Sequence, residues 1–274
     1  MDLILNIAVV FLPLLYVLVS VGYGFVFFGG LEPVRQWVPR FLWLVLFLHL
    51  GYLVLLTLRW HQFPAATASQ GLSSMAFAVA LVYAFVEWRG GEPTTGFWMV
   101  SLASLFEVCS SLLRQPIPPD REIFHSPVFS AHAGFGLLGY AALAVAAGYG
   151  FLFLRLYSEI KRRRFSLFFG KLPPLEVLER MMSSAVVAGF LSLTGAVVSG
   201  VLWAQSLDQE AWWSDPRILL AVAMWAFYGL VLMLRRLRQW HGRQTALACL
   251  AGLGAILLSV VGVNLLFSMS TGFH

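Results

Sequence analysis

Eight stretches of this chain, near residues 5–28, 40–59, 71–88, 96–113, 128–157, 181–206, 216–234 and 244–268, are apolar, almost free of charge, and about as long as a bilayer is thick. A helix needs roughly 20 mostly apolar residues to cross a hydrocarbon core of about 30 Å. Lipid offers the backbone no hydrogen-bond partner, so only helices and closed barrels can cross it. No stretch alternates with the period of two that a barrel strand requires. The expected fold class is therefore all-α, a polytopic integral membrane protein with eight transmembrane helices. The fifth stretch is long enough to project beyond the bilayer. Composition agrees, with 59% apolar and 11% charged residues, against roughly 45–50% and about 25% in soluble domains.

Several classes are excluded on the same grounds. No connection between the apolar stretches exceeds about 25 residues, which leaves no room for a sizeable soluble catalytic domain. The net charge of +5 comes from basic residues gathered at helix ends, not on one folded face, so no nucleic-acid partner is expected. Cys109 and Cys249 are far apart in apolar surroundings, without a CxxC spacing, so neither a disulfide framework nor a zinc site is written here. The amino-terminal stretch carries Asp2 and no basic region, unlike a cleavable signal.

An even number of spans places both termini on one side. The basic residues choose the side: 14 of the 18 Lys and Arg fall on one set of connections and helix ends, and 4 (Arg59, Arg114, Arg121 and Arg217) on the other. Positive residues stay in the cytoplasm, so both termini are expected outside it. The outer connections are then about 60–70, 114–127 and 207–215, with the tail 269–274. Lys161–Arg180 mixes a basic cluster with Phe165, Leu167, Phe168 and Phe169 and reads as an inner interfacial stretch. Pro173 and Pro174 suit a helix start. The whole, 1–274, reads as a single membrane domain, with four amino-terminal helices and an outer loop over 1–127 and a second region over 128–274.

Chemistry concentrates on the outer side. The connection Glu210–Arg217 holds Trp212, Trp213, Asp215, Pro216 and Arg217. Tryptophan at headgroup level is common as an aromatic belt, yet two indole faces beside an arginine also suit a planar porphyrin and its propionates. His132 opens the fifth helix on this side, and His274 ends the chain there. Two neutral imidazoles on opposite sides of one iron make a bis-histidine haem site; a single interfacial histidine is more often solvated. His125 and His61 share the region, and His241 falls in an inner loop. His49 and Glu107 lie in mid-span, where ionisable groups are functional candidates by default. His49 is thus a second, weaker candidate for iron, and the bland reading of each is one hydrogen bond to a neighbouring helix. Glu87, near a helix end, is expected to snorkel. Gly134–Gly139 reads as GxGxxG but has no strand before it. Its glycines, like Gly195, Ala196, Ser199 and Gly200, are expected to let helices approach closely.

The second half resembles the cytochrome c assembly family, whose members include CcsA (ResC), CcmC and HemX-like proteins. His132 precedes Gly139-Tyr-Ala-Ala142; Leu172-Pro-Pro-Leu-Glu176 and Gly200-Val-Leu-Trp-Ala204 follow. Ala211-Trp-Trp-Ser-Asp-Pro-Arg217 resembles the family's WWD motif, and Met224-Trp-Ala-Phe-Tyr228 the helix after it. Trp240-His-Gly-Arg243, Gly262-Val-Asn-Leu-Leu266 and Thr271-Gly-Phe-His274 resemble the family's last loop, helix and tail. The likeness covers roughly 128–274. Ser214 and Ile218 stand where the family has a second tryptophan and a glutamate, and the loop is short, so the chain looks most like the compact HemX-like branch.

The resemblance implies haem (haem b) held at the outer surface by His132 and His274 as axial ligands, with Trp212, Trp213 and Asp215 in the haem-presenting loop. It implies a haem chaperone or component of a haem lyase complex in the cytoplasmic (inner) membrane, with a ResB/Ccs1-like membrane partner and apocytochrome c. The alternative is a HemX-like regulatory or scaffold protein of haem biosynthesis that holds no haem. A transporter built on His49 and Glu107 is disfavoured by the lack of an inverted repeat.

Overall fold

The computed structural model describes residues 2–29, 32–114, 122–163, 167–206 and 216–271. Among them every regular element is helical: α1 (Asp2–Phe28), α2 (Glu32–Trp60), α3 (Ala68–Gly90), α4 (Gly96–Leu112), α5 (Pro127–Arg162), α6 (Leu167–Lys171), α7 (Leu175–Ser206), α8 (Pro216–Leu237) and α9 (Arg243–Thr271). Seven of these, α1–α5, α7 and α8, are long and apolar enough to cross a bilayer among the described residues. The eighth expected span falls on α9, whose side chains are described as far as Leu258. The chain is an all-α polytopic membrane protein.

The helices run past the apolar stretches at their ends. α2 starts eight residues before the apolar stretch expected at 40, and α7 six before that expected at 181. Hydropathy marks the part of a helix that lies in hydrocarbon, whereas the helix continues into the headgroup layer wherever backbone bonds and caps support it. α5 has 36 residues, about 54 Å at 1.5 Å per residue, and so projects beyond the membrane as expected. Its start is written locally: Pro127 takes the first helical position, and the Ser126 hydroxyl accepts from Phe129 N–H. Pro173 and Pro174 stand immediately before α7, and Pro174 C=O accepts from Val177 and Leu178 N–H. Gly91 closes α3 in a left-handed conformation, φ 67°.

α5 is the central helix, packed on α3, α7 and α9, and one continuous core extends from Tyr16 in α1 to Ile256 in α9. The outside is apolar too. α1 buries Leu12, Tyr16, Val19, Tyr23 and Phe27 while Ile7, Phe11, Leu14, Leu18 and Phe25 are exposed. Such a surface would aggregate in water and is at rest in lipid.

Contacts sort the connections onto two ends. At one, Arg59 Nε donates to Asp2 at 2.9 Å, Arg114 bonds Asn6, and His125 Nδ1 donates to His61 C=O at 2.7 Å. At the other, Arg35 pairs with Glu92 at 3.2 Å, Lys171 Nζ donates to Phe28 C=O, and Arg235 approaches Glu179 at 3.7 Å. The second is the arginine- and lysine-rich end.

Two expectations need correcting. Glu87 does not snorkel. It is 6% exposed, and its Oε2 accepts from Tyr23 O–H at 2.5 Å. The reason is tertiary, since α1 brings a phenol to a carboxylate that the α3 sequence alone would send to water. Of the three glycines in Gly134–Gly139, only Gly139 serves close helix approach: a Cβ there would stand 2.8 Å from Leu193 of α7, while one at Gly136 would meet nothing within 4 Å.

Candidate functional site

His132 lies in the second turn of α5, where α7 passes beside it. The α7 segment Gly195, Ala196, Ser199 and Gly200 presents the smooth face expected of it, and that face receives Phe135 against Gly195 and His132 against Gly200. His132 Nδ1 lies 2.8 Å from Ala196 C=O. A carbonyl only accepts, so Nδ1 carries the proton and Nε2 keeps its lone pair. Nε2 makes no hydrogen bond among the described residues. Gly200 is required at its place, because a Cβ there would stand 2.8 Å from Nδ1. Ser199 Oγ donates to Gly195 C=O at 2.6 Å and lies 3.3 Å from Ala196 C=O, the carbonyl that also accepts from His132.

Aromatic rings complete the setting. The His132 ring stacks on Trp203 with centroids 5.9 Å apart and planes at 25°. Phe129 meets Trp203 edge-on at 5.2 Å, and Phe124 meets Phe129 at 5.5 Å. His132 is half-buried, so its ring is held yet reachable. Trp203 was not singled out in the sequence as a partner of His132; the signal was its place one turn after Gly200, near the end of α7.

The Trp-rich connection begins where α7 ends and returns as α8. Trp212, Trp213 and Asp215 lie outside the described residues, as does His274. Arg217 is the second residue of α8, and its side chain also lies outside them. α8 is fastened to α7 by Trp225 Nε1, which donates to Thr194 Oγ1 at 2.9 Å, and by Trp225 stacking on Phe190 at 5.9 Å. Among the described residues no three His, Cys, Asp or Glu side chains gather as a metal site.

His49 sits in a different kind of place. It is fully buried, and both its nitrogens are engaged: Tyr16 O–H stands 2.9 Å from Nδ1, and Nε2 lies 2.9 Å from Ser73 Oγ. Ser73 Oγ in turn donates to Glu107 Oε2 at 2.9 Å. Because the Ser73 proton goes to the carboxyl group, Nε2–H donates to Ser73 and Tyr16 O–H donates to Nδ1. The result is a one-directional chain through α1, α2, α3 and α4. Phe77 and Tyr16 pack edge-on against the imidazole at 5.3 and 5.5 Å. His49 and Glu107 thus join one network, richer than the single hydrogen bond expected of each. To take iron, His49 would have to surrender a side-chain partner.

Comparison with known proteins extends the likeness seen in the second half. The family model described as "Cytochrome C assembly protein" matches residues 37–270, so it reaches back through α4, α3 and most of α2. The chain is 28% identical over 254 residues to "Cytochrome c biogenesis protein CcsA" of Prochlorococcus marinus (strain NATL1A), covering 80% of this chain and 79% of that one. It is 28% identical over 242 residues to the protein of the same name from Synechococcus sp. (strain CC9902), covering 77% and 79%. A 91-residue segment is 37% identical to the CcsA of Parasynechococcus marenigrum (strain WH8102).

Proposed function

The chain belongs to the cytochrome C assembly protein family, and from that premise we propose that it is a haem-handling membrane protein of c-type cytochrome biogenesis, holding haem at its non-cytoplasmic face for delivery or attachment. The observation that carries the reading is the state of His132. A metal-binding imidazole ordinarily hands its second N–H to a carbonyl or carboxylate, which fixes tautomer and ring direction. His132 has this arrangement, with Nδ1–H on Ala196 C=O and Trp203 across its ring. The residues present therefore fit an axial ligand.

His274 is the proposed second ligand. α9 approaches α5 where a Cβ on Gly150 would lie 3.0 Å from Ala246 C=O, and the two helices run in opposite directions between the same two ends. The eighteen residues from Gly150 back to His132, counted forward from Ala246, lead to Asn264. α9 therefore comes level with His132 at Asn264 and continues as helix to Thr271, so the proposal requires the last three residues, Gly272–His274, to turn back toward the site. Trp212 and Trp213 offer flat faces to the macrocycle. Arg217 is available to a propionate as a planar, permanently charged donor, and Asp215 belongs to the same haem-presenting loop. When bound, haem supplies an iron able to take two imidazoles and vinyl groups open to cysteine thiols. The inner membrane, a ResB/Ccs1-like partner and apocytochrome c belong to the same proposal.

The test is purification in detergent followed by an absorption spectrum and a pyridine haemochrome assay. A Soret band with split reduced bands is the expected result. A clean, colourless protein that takes up no added haem would overturn it and favour a regulatory or scaffold role in haem biosynthesis. Ser214 and Ile218, standing where the family has tryptophan and glutamate, are the features that point that way.

A further inference from the structure

At the basic end of the molecule α2 and α3 enclose a groove of about 520 Å³. One wall is Arg35, Pro39, Arg40 and Trp43, which repeat at the spacing of a single helix face; the other is Ala84, Trp88 and Gly91, spaced likewise on α3. The two helices are drawn together at mid-depth by the His49–Ser73 hydrogen bond and the contact of His49 with Phe77. The two helices are thus in contact at mid-depth and flank the groove at the basic end.

Its depth follows from helix geometry. Arg40 and Arg59 flank the apolar part of α2 and are 19 residues apart, about 28 Å along the axis, close to the roughly 30 Å of hydrocarbon. Arg40 therefore lies at the level of the lipid phosphates, and His49, nearly midway, at the bilayer centre.

The charge at the mouth is positive. Glu87 also lines the groove, but its Oε2 is taken by Tyr23 O–H. Arg35 shares its charge with Glu92 at 3.2 Å, while Arg40 lies over the Trp37 ring at 5.2 Å and has no carboxylate partner among the described residues. Below the arginines the surface becomes apolar and aromatic. Trp88 is 71% exposed, Trp43 44%, and Phe47, one turn deeper than Trp43, 72%.

We propose that this groove seats one anionic phospholipid, its phosphate on Arg40 and Arg35 and its acyl chains along Trp43 and Phe47. Guanidinium groups bind phosphate oxygens through paired N–H donors, and indole rings settle at the same depth. A soluble anion would use the arginines but leave the aromatic strip bare; a phospholipid satisfies both.

The experiment places the protein in phosphatidylcholine vesicles containing a small fraction of brominated phosphatidylglycerol or, in parallel, brominated phosphatidylcholine. Quenching of Trp43 is read as the difference between the wild type and Trp43→Phe. The wild type is expected to be quenched preferentially by the glycerol lipid. Arg40→Ala should reduce that preference about fivefold, the effect of one basic residue at an anionic surface, and Arg35→Ala with Arg40→Ala should abolish it. Arg40→Lys should restore part of it, and Arg89→Ala, outside the groove, should leave it intact. Equal quenching by the two lipids would overturn the proposal. So would full selectivity in the double variant, loss in Arg89→Ala, or displacement by millimolar inorganic phosphate or by haemin.

Discussion

Two histidines divide this molecule. His49, among α1–α4, has a hydroxyl on each nitrogen and no exposed surface; His132, where α5 meets α7, has one nitrogen on a backbone carbonyl and the other without a hydrogen bond among the described residues. The first arrangement consumes the imidazole, tying four helices together in a medium where an unsatisfied polar group is expensive. The second prepares it, since a fixed tautomer and a packed ring leave a single lone pair to offer. Depth in the membrane, which drew attention to His49, is therefore a poor guide to which histidine is free to bind.

The largest expected effect separates the two directly. Replacing His132 by alanine should lower haem retention by more than about 100-fold, because removing merely the orienting partner of a metal ligand typically costs about 10–100-fold. His49→Phe should leave the haem spectrum unchanged. Added imidazole should restore the spectrum of the His132 variant and not alter the other. If the two substitutions acted alike on the spectrum, the contrast would fail.

Next in size is Gly200→Ala, which leaves every proposed ligand in place. Its methyl group would stand 2.8 Å from His132 Nδ1, so the ring must rotate away from Ala196 and from Trp203. Haem affinity should fall by about 10–100-fold, as for loss of any orienting hydrogen bond, with the thermal midpoint nearly unchanged. Gly136→Ala, in open space, is the control and should alter neither.

What could be read in the sequence follows the same division. Hydropathy located the membrane helices because each carries its own lipid-facing composition, and the smooth segment Gly195–Gly200 announced a close approach. Its guest was not written there, for nothing local says that Ala196 C=O faces an imidazole 64 residues away. Tyr16 and Ser73 escaped notice for the same reason: a hydroxyl in an apolar helix is unremarkable until a neighbouring helix supplies its partner. Glu87 misled, because nearness to a helix end suggested solvent while Tyr23 was waiting across the interface. The family likeness is visible in the second half through short motifs, whereas the family match extends it to residue 37, where the sequence offered no motif of that kind.

On the stability side the order of the histidines reverses. His49→Phe strands the Tyr16 hydroxyl and deprives Ser73 of its donor, both deep in the core. Each unsatisfied group costs about 1–3 kcal/mol, so thermal unfolding in detergent should begin well below that of the wild type. His132→Ala, at a half-buried position, should be much milder. A His132 variant less stable than the His49 variant would show that the chain through α1–α4 contributes little.

The smallest effect is expected at Ser73, although it stands in the middle of the chain. Ser73→Ala removes the acceptor for His49 Nε2–H and the donor to Glu107 together, so no new orphan is created if the two neighbours can meet. They are 3.8 Å apart already, and a shift of about 1 Å would bring them within hydrogen-bond reach. The loss should then be near the roughly 0.6 kcal/mol average of interhelical hydrogen bonds in membranes. A double-mutant cycle with Glu107→Gln tests the inference: measured from unfolding in one detergent, the coupling should be small, because Ser73 relays a contact that His49 and Glu107 can make directly. A coupling well above about 1.7 kcal/mol, the upper end for such bonds, would mean that the serine is indispensable. The buried histidine would then depend on its neighbours as narrowly as His132 depends on Ala196.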